Sequence, residues 1–434
     1  MPDDRDIFTE GFKQQPYWWD AAPRPRFPAR ELPRQVDVAV IGSGHTGLVA
    51  ALTLARAGRH VALFEAGDPG QGASSRNAGY VGRTLKHGFG KLMSLHGLER
   101  AKAVYRDARA AFDLVFEIVE QEQINCRLAR NGRLIGAPMA SHYEALAREL
   151  ELKRQHLGDA YEMVPKSEMR REIGSDFYAG GAVLPDHGSL HPGVYNLGLL
   201  DRAIGAGVVI LVNTAVTGIA PGAAGVIIQT ARGAVRARNV LVATNGYVDG
   251  ATPWLKRRLI PIHGYMVATE QLAPETLARV SPNSRTFIDF NNNVFFMRRS
   301  PDGERILFGG DTGGPARDLK AKARRLHAAM GERLPDLKDV KLSHVWTGQC
   351  AATFDLYPHI GVHDGVHYAL GYSFAGLPMG TFLGRQAARK IMGDSGASTV
   401  FDELPFKSHP LYTGNPWFVP MMMQWYDWKD RRGL

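Results

Sequence analysis

The chain has 434 residues, 44% of them hydrophobic, a formal net charge of +9, and only two cysteines, Cys126 and Cys350. This length predicts two or three structural units around a large core, and two cysteines exclude a disulfide framework and fit a reducing compartment. The basic residues are scattered, with the densest runs at Lys256-Arg257-Arg258 and from Lys429 to Arg432, so the charge reads as a solvated surface and no nucleic-acid partner is expected.

Residues 1–35 mix prolines, arginines and aromatics and have no apolar core of a secretory signal. No apolar run reaches membrane-spanning length, so a cytoplasmic protein with no membrane span is expected. The prolines argue against helix or central strand and predict an N-terminal arm packed by Tyr17, Trp18 and Trp19.

A βαβ pattern follows from Val36 to Glu65, in "VIGSGHTGLVAALTLARAGRHVALFEAG". Gly42-Ser43-Gly44-His45-Thr46-Gly47 joins a strand to a helix over 46–57. Gly42 permits the tight turn, Gly44 lets backbone approach a pyrophosphate, and Gly47 lets helix and strand pack closely. The helix start offers free N–H groups and a positive dipole end to phosphates. Glu65, followed by Ala66, ends the second strand, where its carboxylate accepts from both hydroxyls of a ribose and disfavours a 2′-phosphate. The segment Gly70–Gly82 contains Ser74, Ser75, Arg76, Asn77 and Gly79, small and polar residues suited to wrapping a large planar cofactor.

Apolar residues at helical spacing predict helices over 97–124 and near 140–157. Strand signals then dominate: "VVILVNTAVTGIA", "GVIIQTA" and "AVRARNVLVATNG", the last breaking at Thr244-Asn245-Gly246. A second β-rich stretch spans Pro261–Asp311, with a turn at Pro301-Asp302-Gly303. It carries His263, Tyr265, Arg298 and Arg299. Alternation along a strand puts one of the two arginines toward a cavity, where it can clamp an anionic group, and Arg298 is taken as that residue. His263 is placed to accept an ammonium proton near neutral pH. Residues 316–331 read as helix. "GYSFAGLPMGTFLG" then forms a second glycine-rich strand-to-helix turn, with Gly371, Tyr372, Phe374, Gly376, Leu377, Pro378, Gly380 and Thr381. Its helix start can stabilise negative charge on the N1–C2=O edge of a reduced flavin. Two anion-seeking helix starts far apart in sequence suit FAD better than NAD. The aromatic, Met-rich tail is expected to pack on the protein's own core. No metal site is expected.

The fold class that follows is α/β (α+β): a Rossmann-like FAD-binding domain interleaved with a substrate domain on a mixed, largely antiparallel sheet. The expected layout is an arm at 1–35, a discontinuous FAD domain at 36–84, 188–255 and 345–398, a substrate domain at 85–187 and 256–344, and a tail at 399–434.

The glycine motif with "LFEAG" and "GQGASSRNAGYVG", together with "VLVATNGY", "WTGQCAATFDLYPHIG" and "GYSFAGLPMGTFLGRQAARKI", resembles the D-amino-acid oxidase superfamily of FAD enzymes, most closely its glycine/sarcosine oxidase and γ-glutamylputrescine oxidase branch. The resemblance implies that Gly42, Gly44, Gly47 and Glu65 hold the ADP half of FAD, that Val216 clasps adenine, and that Thr244 and Gly246 lie near the cofactor. It implies oxidation of a C–N bond of a small amine or amino acid by hydride transfer to flavin N5. The resulting imine hydrolyses, and O2 or another acceptor takes the electrons. The chain departs from the pattern in three places. It has Phe374-Ala375 where relatives often have glycine and then a polar residue, a change at the flavin's pyrimidine contacts. The position that tethers flavin in some sarcosine-type members is Gly348, with Cys350 two residues later, so non-covalent FAD is expected. The strand "ERILFGG" lacks the lysine that some members hold over the flavin, which keeps open a dehydrogenase passing electrons to a quinone or carrier protein. A FAD protein acting on RNA is the remote alternative. Oligomeric state is open.

Overall fold

The computed structural model describes residues 7–28, 30–222, 225–402 and 404–433. An eight-stranded sheet is centred on Gln35–Ile41, whose near-continuous apolar run is buried along most of its length, as a parallel strand covered on both faces requires. It lies parallel to Val61–Phe64 on one side and to Gly233–Val242 on the other. Val209–Leu211 extends the first side, and Val366–Leu370 pairs in parallel with the end of Gly233–Val242. Residues from three distant stretches of the chain thus share one sheet.

Helix α1 (His45–Arg56) follows the first glycine turn. Helix α2 (Leu98–Gln121) buries Ala101, Phe112 and Val115 in the same apolar cluster as Leu48 and Leu54 of α1. The expected division gave 85–187 to the substrate domain; the amphipathic stripe of α2 instead completes the core beside the glycine turn. Helix α3 is Leu319–Arg333, and α4 (Gly376–Ile391) follows the second glycine turn.

The crossing of α1 and α4 is a contact between backbones: a Cβ on Gly384 would lie 2.4 Å from the carbonyl oxygen of Thr46. Within the first turn, a Cβ on Gly47 would lie 1.9 Å from the Gly42 carbonyl oxygen. Only hydrogen fits at either position.

The second sheet has nine strands, mixed in direction. Leu259–Thr269 sits inside it between Ile306–Gly313 and Leu342–Thr353, antiparallel to both. Leu326 and Met330 of α3 pack on its outer face against Phe308 and Val345. Leu342–Thr353 is one strand of this sheet, so the domain boundary expected at 345 falls inside it. The N-terminal arm differs from expectation too. Its proline-free part, Phe8–Lys13, pairs in parallel with Leu342–Thr353. Trp18 is fully buried beyond it, packed with Met266 and Trp346.

Replacing Gly384 by Val should lower unfolding stability by about 1–3 kcal/mol through overpacking and reduce flavin content in step. Urea unfolding of the purified protein, with the flavin-to-protein absorbance ratio, checks both.

Candidate active site

A cavity of about 960 Å³ lies between the two sheets, lined at one end by the glycine turns and at the other by the nine-stranded sheet. Its construction starts at Gly42, whose φ of +103° is open to glycine and strained for other residues. That turn aims the uncapped N-terminus of α1 into the cavity. Glu65 stands beside it. One carboxylate oxygen accepts from the Ser43 N–H (3.0 Å) and hydroxyl (2.5 Å), and the other accepts from the Gly67 N–H (3.1 Å). Each oxygen retains acceptor capacity toward the cavity. The Ser74 hydroxyl accepts from the His45 N–H at 2.9 Å, which is the position of an anion's oxygen at a helix start. The His45 ring is buried 5.1 Å from Tyr195, and burial, aided by Arg24, pushes its pKa down to about 3, so it stays neutral.

The second turn meets the first. Thr46 and Tyr372 hydroxyls lie 2.7 Å apart, and the Gly371 N–H donates to the Asn245 side chain at 2.9 Å. Helix α4, also without a side-chain cap, starts at the cavity with Gly376, Leu377 and Pro378 on its wall. Ala66, Arg76, Asn77, Val216, Thr244 and Phe374 line the cavity as well.

Several residues expected at the cofactor lie behind this wall. Gly47 packs on the Gly42 carbonyl of its own turn, and Gly380 serves the α1–α4 contact, a Cβ on it falling 2.9 Å from the Thr46 hydroxyl. The Ser75 hydroxyl is taken by Trp19 Nε1 and the Gly70 carbonyl. Gly246 packs on the Cys350 carbonyl, Gly371 on the Thr353 side chain, and Gly79 on the Leu190 carbonyl. Thr381 donates to the Leu377 carbonyl within α4. These residues shape the site without bordering it.

On the substrate side, His263 borders the cavity, its Nδ1 3.4 Å from the Thr347 hydroxyl, and burial lowers its pKa. Tyr265 and Arg298 differ from expectation. Tyr265 is buried toward α3 and donates to the Gly314 carbonyl at 2.5 Å. Arg298 is buried, and its guanidinium donates to the carbonyls of Leu190 (2.8 Å), Ala78 (3.2 Å) and Arg299 (3.0 Å). With its donors committed to backbone, it is a brace between chain segments rather than a clamp. Arg299 likewise donates to the Leu277 and Ser281 carbonyls.

Two features were missed: the pairing of Gly264 with Gly348, the latter noted only as the tether position, and Arg133. Gly264 and Gly348 are paired across adjacent strands and both line the cavity. A Cβ on Gly264 would meet nothing within 4 Å. Gly264 therefore leaves an open floor in the sheet, while the Arg76 side chain lies against Gly348, 3.2 Å from where a Cβ would stand. The signal was in the sequence as single glycines inside the strand-like "PIHGYM" and "WTGQC". The second feature is Arg133, on strand Arg133–Ala137, only 3% exposed yet lining the cavity. It donates to the hydroxyls of Thr84 (2.8 Å) and Thr286 (3.3 Å) and lies over the Tyr80 ring. No carboxylate pairs with it among the described residues.

The sequence profile of FAD dependent oxidoreductases (DAO) matches residues 37–390. This chain belongs to that family. It is 30% identical over 410 residues to γ-glutamylputrescine oxidoreductase of Escherichia coli (strain K12), covering 92% of this chain and 93% of that protein. It is 31% identical over 431 residues to the probable oxidoreductase OrdL of Rhizobium meliloti (strain 1021), covering 95% and 97%. In fold it is similar to the crystal structure of glycine oxidase from Geobacillus kaustophilus, with a TM-score of 0.73 and 22% identity over 87% of this chain and 99% of that one. The cavity fits the family's cofactor: an acidic residue at an uncapped helix start for the ADP half, a glycine floor for a planar ring, and a second uncapped helix start beside it. Among the described residues no group of side chains could hold a metal ion, and no helix is long and apolar enough to cross a membrane.

Gly264→Val should fold normally, since the added atoms enter open space, and should lose FAD because they occupy the floor. Apo-protein unfolding and FAD titration by fluorescence quenching separate these effects; equal FAD affinity in the variant would rule the floor out.

The rim supplies a pH-dependent prediction. Asp289 accepts from the Phe295 N–H and the Asn291 side chain, fixing the loop that carries Asn292 and Val294 to the cavity. Burial pushes its pKa up to about 7, against the pull of the Phe295 N–H and Arg333. The folded state therefore holds this proton up to about pH 7, so the stability it contributes is full at acid pH and is lost as pH rises through that value. Asp289→Asn should gain stability relative to the parent between about pH 5 and about pH 8, read as the difference in urea midpoints.

Proposed function

We propose that the protein oxidises the C–N bond of a small amine that carries an anionic group, giving an imine that hydrolyses to an aldehyde or keto acid, with O2 reduced to hydrogen peroxide. FAD, bound non-covalently, supplies the hydride acceptor. Burial pushes the Cys350 thiol up to about 12 and its hydrogen is directed to the Ile262 carbonyl, so it remains a protonated thiol and a poor nucleophile for a tether.

The observation that carries the anionic group is the charge of the substrate end. Arg133 and Lys86 line it, whereas the acids that line the cavity are Glu65, bonded to Ser43 at the first glycine turn, and Asp249, on the loop after Gly246. Lys86 lies 5.9 Å over the Phe374 ring, and burial lowers its pKa. A buried guanidinium with hydroxyl partners only is stabilised by an incoming carboxylate far more than by water-exposed pairing. His263, held neutral, accepts a proton from the incoming ammonium, leaving the nitrogen lone pair free as the hydride departs. The floor, the Tyr372–Pro378 turn and the walls orient the substrate and exclude water. The similarity to γ-glutamylputrescine oxidoreductase and to glycine oxidase supports an amine of this kind.

Anaerobic bleaching near 450 nm with glycine, sarcosine, D-amino acids, pipecolate, γ-glutamylputrescine, putrescine and ω-amino phosphonates tests the reading. Anionic amines should bleach the flavin and putrescine should not. Absence of bleaching by every amine sinks it. Fast reoxidation in air supports the oxidase. Slow reoxidation favours a dehydrogenase with a quinone or carrier acceptor, a reading supported by the absence of lysine from Ile306–Gly313. Arg133→Met should raise KM for anionic amines about 10- to 100-fold and leave neutral amines unchanged; an equal effect on both would remove Arg133 from substrate recognition.

A further inference from the structure

Helix α5 (Val419–Asp430) near the C-terminus has two apolar faces. One is accounted for: Val419 and Met423 are buried against Ile260, Ile262 and Tyr412. The other faces solvent. Met421, Trp425 and Trp428 follow at spacings of four and three, which puts them on one stripe of the helix, and Trp417 stands in the turn before it; Trp417, Met421, Trp425 and Trp428 are 59%, 59%, 50% and 44% exposed. Leu411 is 74% exposed on the loop before it.

The charges of this helix are sorted by side. Asp427 and Asp430 turn inward: Asp430 accepts from the Asn292 and Asn293 N–H groups at 2.8 and 2.9 Å, and Asp427 accepts from the Asn293 side chain at 2.8 Å. The cations stay with the aromatic stripe. Lys429 lies over the Trp425 ring at 4.4 Å and Arg432 over Trp428 at 4.2 Å. Lys256 packs over Gly414 on the loop leading to the helix, with Arg257 exposed beside it. Among the described residues, none of Lys256, Arg257, Lys429, Arg431 and Arg432 has a carboxylate partner.

We propose that the outward face of α5 docks on an anionic lipid surface. Tryptophans with an apolar body and a polar N–H, interleaved with unpaired cations on a rigid helix, match the headgroup boundary of a bilayer: the rings enter the acyl edge and the cations meet lipid phosphates. A second copy of the chain fits less well. Four half-exposed side chains present on the order of 400 Å² of apolar area. A symmetric pair would bury about twice that, short of the roughly 1,200 Å² of a stable interface, and would bring like cations together. The inner face of α5 braces the loop at the cavity rim, so docking would set that rim near the lipid.

The test is cosedimentation of the FAD-loaded full chain with vesicles of phosphatidylcholine alone and of phosphatidylcholine mixed with phosphatidylglycerol. Binding is expected to the mixed vesicles only, weakened by salt, and reduced about tenfold or more by Arg431→Glu with Arg432→Glu and by Trp425→Ala with Trp428→Ala. The exposed positions leave flavin absorbance and anaerobic reduction by amines unchanged, which shows that the variants fold. No binding to anionic vesicles at low salt overturns the proposal. So does a dimer in sedimentation equilibrium that these variants dissociate, or single-stranded RNA that displaces the protein from vesicles through the same residues.

Discussion

The arrangement of the site depends on the approach of two backbones. Where α1 crosses α4, Gly384 places its Cα against the Thr46 carbonyl oxygen at a distance that excludes a methyl group, and just before the crossing Gly47 does the same against the Gly42 carbonyl of its own turn. That contact fixes where both helices begin. Each begins without a side-chain cap, at the same cavity, although their starting residues lie at opposite ends of the domain in sequence. Two positive helix ends therefore converge on a space that holds no side-chain anion except Glu65 and Asp249. The convergence explains why so many glycines of the two motifs border protein rather than the cavity: their work is to bring the helix starts together.

The nine-stranded sheet supplies the opposite wall by omission. At Gly264 and Gly348 the sheet presents backbone where its other positions present side chains. Around that bare patch the chemistry is spread sparingly. The imidazole of His263, the guanidinium groups of Arg133 and Arg76 and the ammonium of Lys86 stand in a wall that also carries the amides of Asn292 and Gln349 among apolar and hydroxyl groups. Such a site orients and desolvates a reactant and leaves bond-making to a bound group.

The ADP half of the site was legible because its chemistry is local. Gly42 to Thr46 and Glu65 lie within one βαβ unit, and spacing alone brings them together. Val366–Leu370 and α4 were found by the same logic, a second glycine turn opening a helix. The substrate side was not legible in the same way. Arg298 was chosen over its neighbours by strand alternation, which says which residues share a face and nothing about which carbonyls await them. Arg298 meets the carbonyls of Ala78 and Leu190, both over 100 positions away, and Arg133 enters the cavity from a strand whose sequence, "RLIGA", reads as ordinary core. The strand at Phe8–Lys13 was not foreseen because the prolines of the arm drew attention from it, and the partner of α2 was not legible because an amphipathic stripe does not name the surface it covers.

The interleaving has a consequence for how the protein is made. The turn at Gly42–Gly47 leaves the ribosome long before Gly384. Until Val366–Leu370 follows, the edge of Gly233–Val242 that receives it has no partner from that strand. A nascent chain at that stage has the nucleotide fingerprint and lacks the second helix that closes it, with an open strand edge of the kind through which chains aggregate.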